Sequence, residues 1–192
     1  MHIEKIKQVV SEQKEFSGVI QISKGDEVLL NMAMGHARLF DEIPNKTDTS
    51  FGIASGTKGF TALAILKLID KGKLKLEDNV FDILPYDFPN VKTPMTVKHL
   101  LTHTSGIYDY FDEEVIEDFG ALFQVVPINK ILGPCDMLPM MITGECYFSP
   151  GEQFKYCNSG FVVLGMLIEV VSGQSYADYL EENIIKPLDM QG

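Results

Sequence analysis

Phe51-Gly-Ile-Ala-Ser55-Gly-Thr-Lys58-Gly-Phe60 places a hydroxyl and an amine three residues apart at the head of a long apolar run. Residues at this spacing share a helix face, so a helix beginning near Ser55 brings Ser55 Oγ and Lys58 Nζ within hydrogen-bonding reach. A serine hydroxyl is a weak nucleophile until a neighbouring base takes its proton. Lysine serves as that base only when burial or nearby positive charge depresses its pKa. The run that follows, Phe60-Thr-Ala-Leu-Ala-Ile-Leu-Lys-Leu-Ile69, is apolar on nearly every side, which predicts a helix enclosed in the interior and a desolvated Lys58. The helix start offers unpaired N–H groups and the positive end of the dipole, both suited to a developing oxyanion. Lys71-Gly72-Lys73 marks its end with a glycine stop and cations.

Spacing alone is not specific. At ordinary residue usage Ser-x-x-Lys arises about once in a chain of this length, and Ser11-Glu-Gln-Lys14 repeats it. That copy sits among polar residues with nothing to desolvate its lysine. Serine is also a favoured N-cap, so Ser55 taken by itself reads equally as a cap followed by an ordinary first-turn lysine.

A second constellation is Tyr156-Cys-Asn158, after Ser149-Pro-Gly-Glu-Gln-Phe-Lys155 and before an apolar helix. In a loop beside the Ser55 helix, the phenol is suited to relaying protons, and the amide to holding Lys58 or a substrate carbonyl. Alone, the pair also reads as an ordinary surface loop. In Val97-Lys-His-Leu-Leu-Thr-His103-Thr-Ser-Gly106, His99 and His103 have the i, i+4 spacing of metal ligands. Leu100 stands where a metalloprotease glutamate belongs, so His103-Thr-Ser-Gly106 reads instead as a helix-ending turn whose side chains bond backbone, with no metal expected. Gly56-Thr-Lys58-Gly59 reverses the order a phosphate loop requires. The acidic stretch Asp109 to Asp118 lacks the spacing of a calcium loop and reads as a solvated rim.

Composition narrows the function classes. The 192 residues are 45% hydrophobic and 22% charged, enough to build a core. Sixteen basic against twenty-seven acidic residues give a net charge of −11, which disfavours nucleic acid as a partner. No apolar run is long enough to span a membrane. Met1-His-Ile-Glu-Lys-Ile-Lys-Gln-Val-Val10 has an amphipathic helix pattern and no signal-peptide centre. A native Met1 thus predicts a cytoplasmic protein, and an export signal removed ahead of it predicts an extracytoplasmic one. Cys135, Cys146 and Cys157 are an odd set without metal-type pairing, against a disulfide framework.

Phe16, Gly18, Ile20 and Ile22 alternate with Ser17, Val19, Gln21 and Ser23, a turn follows at Lys24-Gly-Asp-Glu27, and Val28, Leu30, Met32 and Met34 share a face, which predicts a β-hairpin. Beyond residue 51 the patterns are mainly helical. Phe161 to Val171 forms a helix that stops at Ser172-Gly173, and Ser175-Tyr-Ala-Asp178 opens the next, which reaches Pro187. A lone hairpin is marginal in water, and no further convincing strand is present for it to join. The organisation is therefore residues 1–50 as the helix and hairpin of an incomplete α/β subdomain, and residues 51–192 as a mainly helical subdomain.

Taken together these residues resemble the serine β-lactamase and penicillin-binding-protein superfamily, in its class C-like branch of β-lactamase-related serine hydrolases. Ser55-Gly-Thr-Lys58 is similar to the first motif, Tyr156-Cys-Asn158 to the second, and Leu100-Leu-Thr-His-Thr-Ser-Gly106 to the turn between them; Ser149-Pro-Gly-Glu152 and Pro187-Leu-Asp-Met190 also match. The resemblance implies an α+β fold, an antiparallel sheet flanked by helices plus a mainly helical subdomain. It implies Ser55 as the nucleophile of an acyl-enzyme, Lys58 as its activating partner, Tyr156 as the proton-transfer residue, and Asn158 as a contact to substrate and Lys58. The Ser55 N–H would form half of the oxyanion hole. No cofactor is implied, and the partner is a small-molecule or peptide amide or ester: a β-lactam, a D-amino-acid peptide or a carboxylic ester.

The family's third motif, Lys or His with a small residue and glycine on a central strand, belongs beyond residue 192. Its absence, with that of the completing strands, agrees with the orphan hairpin. The expectation is the N-terminal portion of a longer hydrolase, with the missing C-terminal half as structural partner. A catalytically silent binding or sensor domain is the alternative, against which the Ser55, Lys58 and Tyr156 set speaks.

Overall fold

The computed structural model describes residues 3–13, 15–116 and 118–190. The chain divides after Gly52 into two compact units. In the first, α1 (Ile3–Ser11) is the amphipathic segment, whose expected first residues Met1 and His2 lie outside the described residues, as does Lys14 of the second Ser-x-x-Lys.

The hairpin consists of β1 (Gly18–Lys24) and β2 (Glu27–Met34), antiparallel. Its register sets Gly18, Ile20 and Ile22 opposite Met34, Met32 and Leu30, so the two alternating series share one face. Val28 departs from that reading. A bulge after Ile22 pairs Ser23 with Val28 and leaves Val28 54% exposed, because an extra residue in one strand breaks the alternation. A second short pair, β3 (His36–Arg38) and β4 (Ile43–Pro44), had no counterpart in the sequence reading, being too short to display a period. Asn45 ties it to the hairpin, donating from Nδ2 to Ser17 Oγ and to the Met34 carbonyl.

The second unit is helical: α2 (Thr57–Asp70) with a 3-10 turn over Ala54–Gly56 ahead of it, then α3 (Val80–Ile83), α4 (Val97–Leu101), α5 (Leu138–Met141), α6 (Asn158–Ser172) and α7 (Tyr176–Leu180). With the small antiparallel sheets of the first unit this is an α+β fold. The core gathers around α6, whose Val163, Leu164, Met166, Leu167 and Ile168 are all fully buried. Such a helix, apolar on all sides, lies inside.

α2 does not follow the same rule. It buries Thr61, Ala64, Ile65 and Leu68, an i, i+3, i+4, i+7 stripe, while Leu63 and Leu66 are 40% and 45% exposed. The expectation of a helix enclosed on every side is corrected to one buried face, set by where the other elements pack. Several helix ends fall where the sequence signals them, but α7 does not run unbroken to Pro187: it gives way after Leu180 to a π turn over Glu181–Ile185 and a 3-10 turn over Lys186–Leu188. Gly72 and Gly173 take φ 68° and 74°, closing α2 and α6, and Ser175 Oγ accepts the Asp178 N–H to open α7. The start of α6 lies three residues before the expected Phe161, because Cys157 Sγ caps it by accepting the Gly160 N–H. Among the described residues no single helix is long and apolar enough to cross a membrane.

Candidate active site

Ala54 adopts φ 44°, left-handed for a residue with a Cβ, and turns the chain into the 3-10 segment that leads α2. Such a conformation costs about 1–2 kcal/mol and tends to persist where function fixes the backbone. Ser55 follows immediately and is exposed. Ile53, not Ser55, occupies the cap position, and no side chain caps the turn, so the N-cap reading of Ser55 does not hold. The Ser55 Oγ instead accepts hydrogen bonds from Tyr156 Oη at 2.7 Å and Lys58 Nζ at 3.2 Å. Lys58 Nζ also donates to Asn158 Oδ1 at 2.8 Å and stands 4.8 Å from the Tyr156 ring centre and 5.8 Å from that of Phe161. All four residues singled out from sequence are thus joined by hydrogen bonds across about a hundred residues of chain. Lys58 is half-buried rather than enclosed, with its charge turned towards polar partners and ring faces.

A residue that sequence reasoning assigned elsewhere holds the second motif in place. Asp109, 2% exposed, accepts from the backbone N–H groups of Asn158 (2.9 Å), Ser159 (3.0 Å) and Phe111 (3.3 Å), and from Asn158 Nδ2 at 3.2 Å. Asn158 Nδ2 gives its other proton to the Phe111 carbonyl at 2.9 Å. With both amide protons committed there, Oδ1 is the atom left to face Lys58, which fixes the amide's orientation from its own bonding. Burial pushes the Asp109 carboxyl above its ordinary pKa, against the pull of these hydrogen bonds. The solvated rim expected over Asp109 to Asp118 is corrected accordingly: Asp112 too is engaged, by Lys155 Nζ at 3.2 Å and Tyr147 Oη at 3.2 Å. Glu117 of that stretch lies outside the described residues.

His103 supports Tyr156. Its Nδ1 accepts the Cys157 N–H at 3.1 Å, and its ring stacks on Tyr156 with centres 4.6 Å apart. Burial first, then the Lys58 charge, push its pKa down, with Asp109 opposing; a neutral ring is what an accepting Nδ1 requires. The same turn receives the Lys155 N–H on the His103 carbonyl, the Gly151 N–H on that of Thr104 and the Tyr147 N–H on that of Gly106. His99 Nδ1 caps α4 by accepting the Thr96 N–H. His103 thus bonds backbone, as the turn reading expects, whereas His99 completes the N-terminal cap of α4, a role outside that reading.

Ser55 stands where two depressions meet. One, about 600 Å³, lies among α2, α6, Tyr176 and residues 131–137 and is walled mainly by apolar side chains. The other, about 460 Å³, is bordered by Asp112, Glu113, Glu114, Lys155 and Tyr156. A hydroxyl held by an amine and a phenol at the mouth of a cleft can attack a carbonyl carbon and hand its proton to a neighbour.

A protein-family model described as beta-lactamase matches residues 3–192. Penicillin-binding protein 4* of Bacillus subtilis is 35% identical over 191 residues, 98% of this chain and 40% of its own. The crystal structure of the penicillin binding protein from Bacillus halodurans superposes with a TM-score of 0.84 at 40% identity, covering 93% of this chain and 54% of that one. A D-stereospecific amidohydrolase from Streptomyces sp. superposes at 0.59 with 35% identity, over 70% of this chain and 41% of that one. The chain thus spans about half or less of the length of these relatives.

Proposed function

The chain belongs to the beta-lactamase family, and from that premise we propose that it carries the acylation chemistry of a serine hydrolase acting on amide or ester bonds. Ser55 is the nucleophile, Lys58 and Tyr156 are its proton partners, and Asn158 orients Lys58 and contacts substrate. The observation that carries this reading is the convergence of Tyr156 Oη and Lys58 Nζ on Ser55 Oγ at 2.7 and 3.2 Å. A serine with a surface role needs neither.

In acylation the Oγ proton passes to whichever of the two partners is in its basic form, as Oγ bonds to the acyl carbon and the carbonyl electrons move onto oxygen. The N–H of Ser55, in the first turn of its helix where no i−4 carbonyl serves it, is placed to receive that oxyanion. Collapse breaks the bond to the leaving amine or alcohol, which takes the proton back through Tyr156. Water then releases the acid by the same path. β-Lactams, D-amino-acid peptides and small esters remain the substrate classes; the similarity to a D-stereospecific amidohydrolase supports the amide side of that choice. The relatives extend well beyond the matched residues, and we assign the rest of the oxyanion hole to that part of the fold.

The test is covalent. A fluorophosphonate or penicillin probe is expected to label Ser55, with labelling abolished in Ser55→Ala and slowed about 10²–10⁴-fold in Lys58→Met, the range of a lost acid–base partner. Absence of labelling by every such probe, in folded protein of this chain and of the same residues within a chain as long as its relatives, overturns the reading.

A further inference from the structure

Resting on that reading, we propose that the larger depression seats the substrate's acyl substituent and selects an uncharged, apolar group of about six carbons or one aromatic ring. Its wall is built by Ile131, Pro134, Met137, Phe161 and Val162. Among the described residues of that wall only Lys58 and Glu113 are charged. Both belong to the Ser55 end: Lys58 bonds Ser55 directly, and Glu113 also borders the second depression.

Length is set by the helix itself. Thr61 follows Ser55 by six residues, two through the 3-10 turn and four along α2, which sets it about 10 Å further on at the usual rises per residue. There Thr61 Oγ1 and Tyr176 Oη bond each other at 2.7 Å, and Thr61 Oγ1 also reaches the Thr57 carbonyl at 3.3 Å. These hydroxyls satisfy one another and bring no ionic partner, so the far end closes the cleft without inviting a charge. Width is set at Gly165. A Cβ there would stand 2.9 Å from Pro134 Cγ and 3.7 Å from Tyr176 Cδ2, so the absence of a side chain is what lets loop, α6 and Tyr176 meet at this spacing.

The test uses straight-chain alkylboronic acids from methyl to octyl. Ser55 Oγ bonds to boron as its proton leaves to the Lys58–Tyr156 pair or solvent, boron becomes tetrahedral, and the alkyl group stands where the acyl substituent would. Affinity, read by calorimetry and by protection from phosphonate labelling, should rise about fourfold per methylene as far as hexyl and then level off. Gly165→Val should reduce hexyl affinity at least tenfold more than methyl affinity. Should that variant not fold, Val162→Phe, which narrows the cleft from its wall, is expected to do the same. Ser55-dependent binding with no dependence on chain length overturns the proposal while leaving the acyl-enzyme reading standing. Preference for chains ending in an amine or carboxylate also overturns it. Failure of every boronate, methyl included, overturns this proposal; if Ser55 also resists every phosphonate, the acyl-enzyme reading falls with it.

Discussion

Asp109 gives the strongest leverage on the site from a single position that touches none of the reacting atoms. Its oxygens receive three backbone N–H groups, the Ser159 hydroxyl and one amide proton, and through that amide they decide which end of Asn158 meets Lys58. Asp109→Asn preserves size but turns a donor towards donors, so the Asn158 amide is released to flip and present Nδ2 to Lys58. Hydrogen bonds to a charged group contribute about 1.5–3 kcal/mol each, so phosphonate labelling is expected to slow by roughly ten- to a hundredfold. The pH profile of labelling should move as well, which lost stability alone would not cause. An unchanged profile in a folded Asp109→Asn protein would show that Asp109 does not act through Lys58. The reason sequence placed Asp109 in a solvated rim is physical: six acidic residues in ten look alike in composition, and burial of one is set by Asn158, far along the chain.

At the scale of elements, the glycines of two turns separate conformational cost from close approach. Gly173, at φ 74°, has open space where a Cβ would stand, so Gly173→Ala is expected to cost only about 1–2 kcal/mol, the price of a left-handed residue. Gly106, at φ 68°, faces the Phe148 carbonyl oxygen so closely that a Cβ would overlap it. Gly106→Ala should therefore cost more than Gly173→Ala in urea midpoint and should also slow labelling, because the displaced segment runs on to Tyr156. Equal effects of the two substitutions would refute this assignment. Both glycines were readable as helix or turn stops from sequence; that only one of them holds a loop against the site was not, since the loop returns from more than forty residues away.

For the whole molecule, pH acts on stability through groups whose protonated form the fold favours: the Cys157 thiol is buried, and the Tyr147 hydroxyl belongs to a residue that stays partly exposed. Burial pushes the Cys157 thiol from 9.0 to about 12, and burial, with the Asp112 charge adding to it, pushes the Tyr147 hydroxyl from 10.0 to about 12. Folded values above unfolded ones mean that this stabilisation is fully present below the unfolded values and is lost as pH rises towards 12. Urea unfolding at pH 8, 10 and 11 should show falling stability, with a slope from Cys157 of up to about 1.4 kcal/mol per pH unit. Cys157→Ala should flatten that slope; the same slope in wild type and variant would refute it. His103 works in the opposite direction. Its folded pKa lies below the ordinary 6.5, so its contribution is complete above that value and fades as acid drives it through the lower one.

The sequence by itself determined the chemical groups, the helix that carries Ser55 and Lys58, the second motif, the paired faces of the hairpin and most helix ends. Each of these rests on a few neighbouring residues: a spacing along one helix, an alternation along one strand, a glycine at a stop. Only the tertiary structure decided that Tyr156 and Asn158 close on Ser55, that Asp109 is interior, that α2 buries one face and leaves Leu63 and Leu66 outside, and that a cleft opens beside the nucleophile. Those outcomes depend on which apolar faces pack together across the core, and a short segment carries no local pattern that names its distant partner.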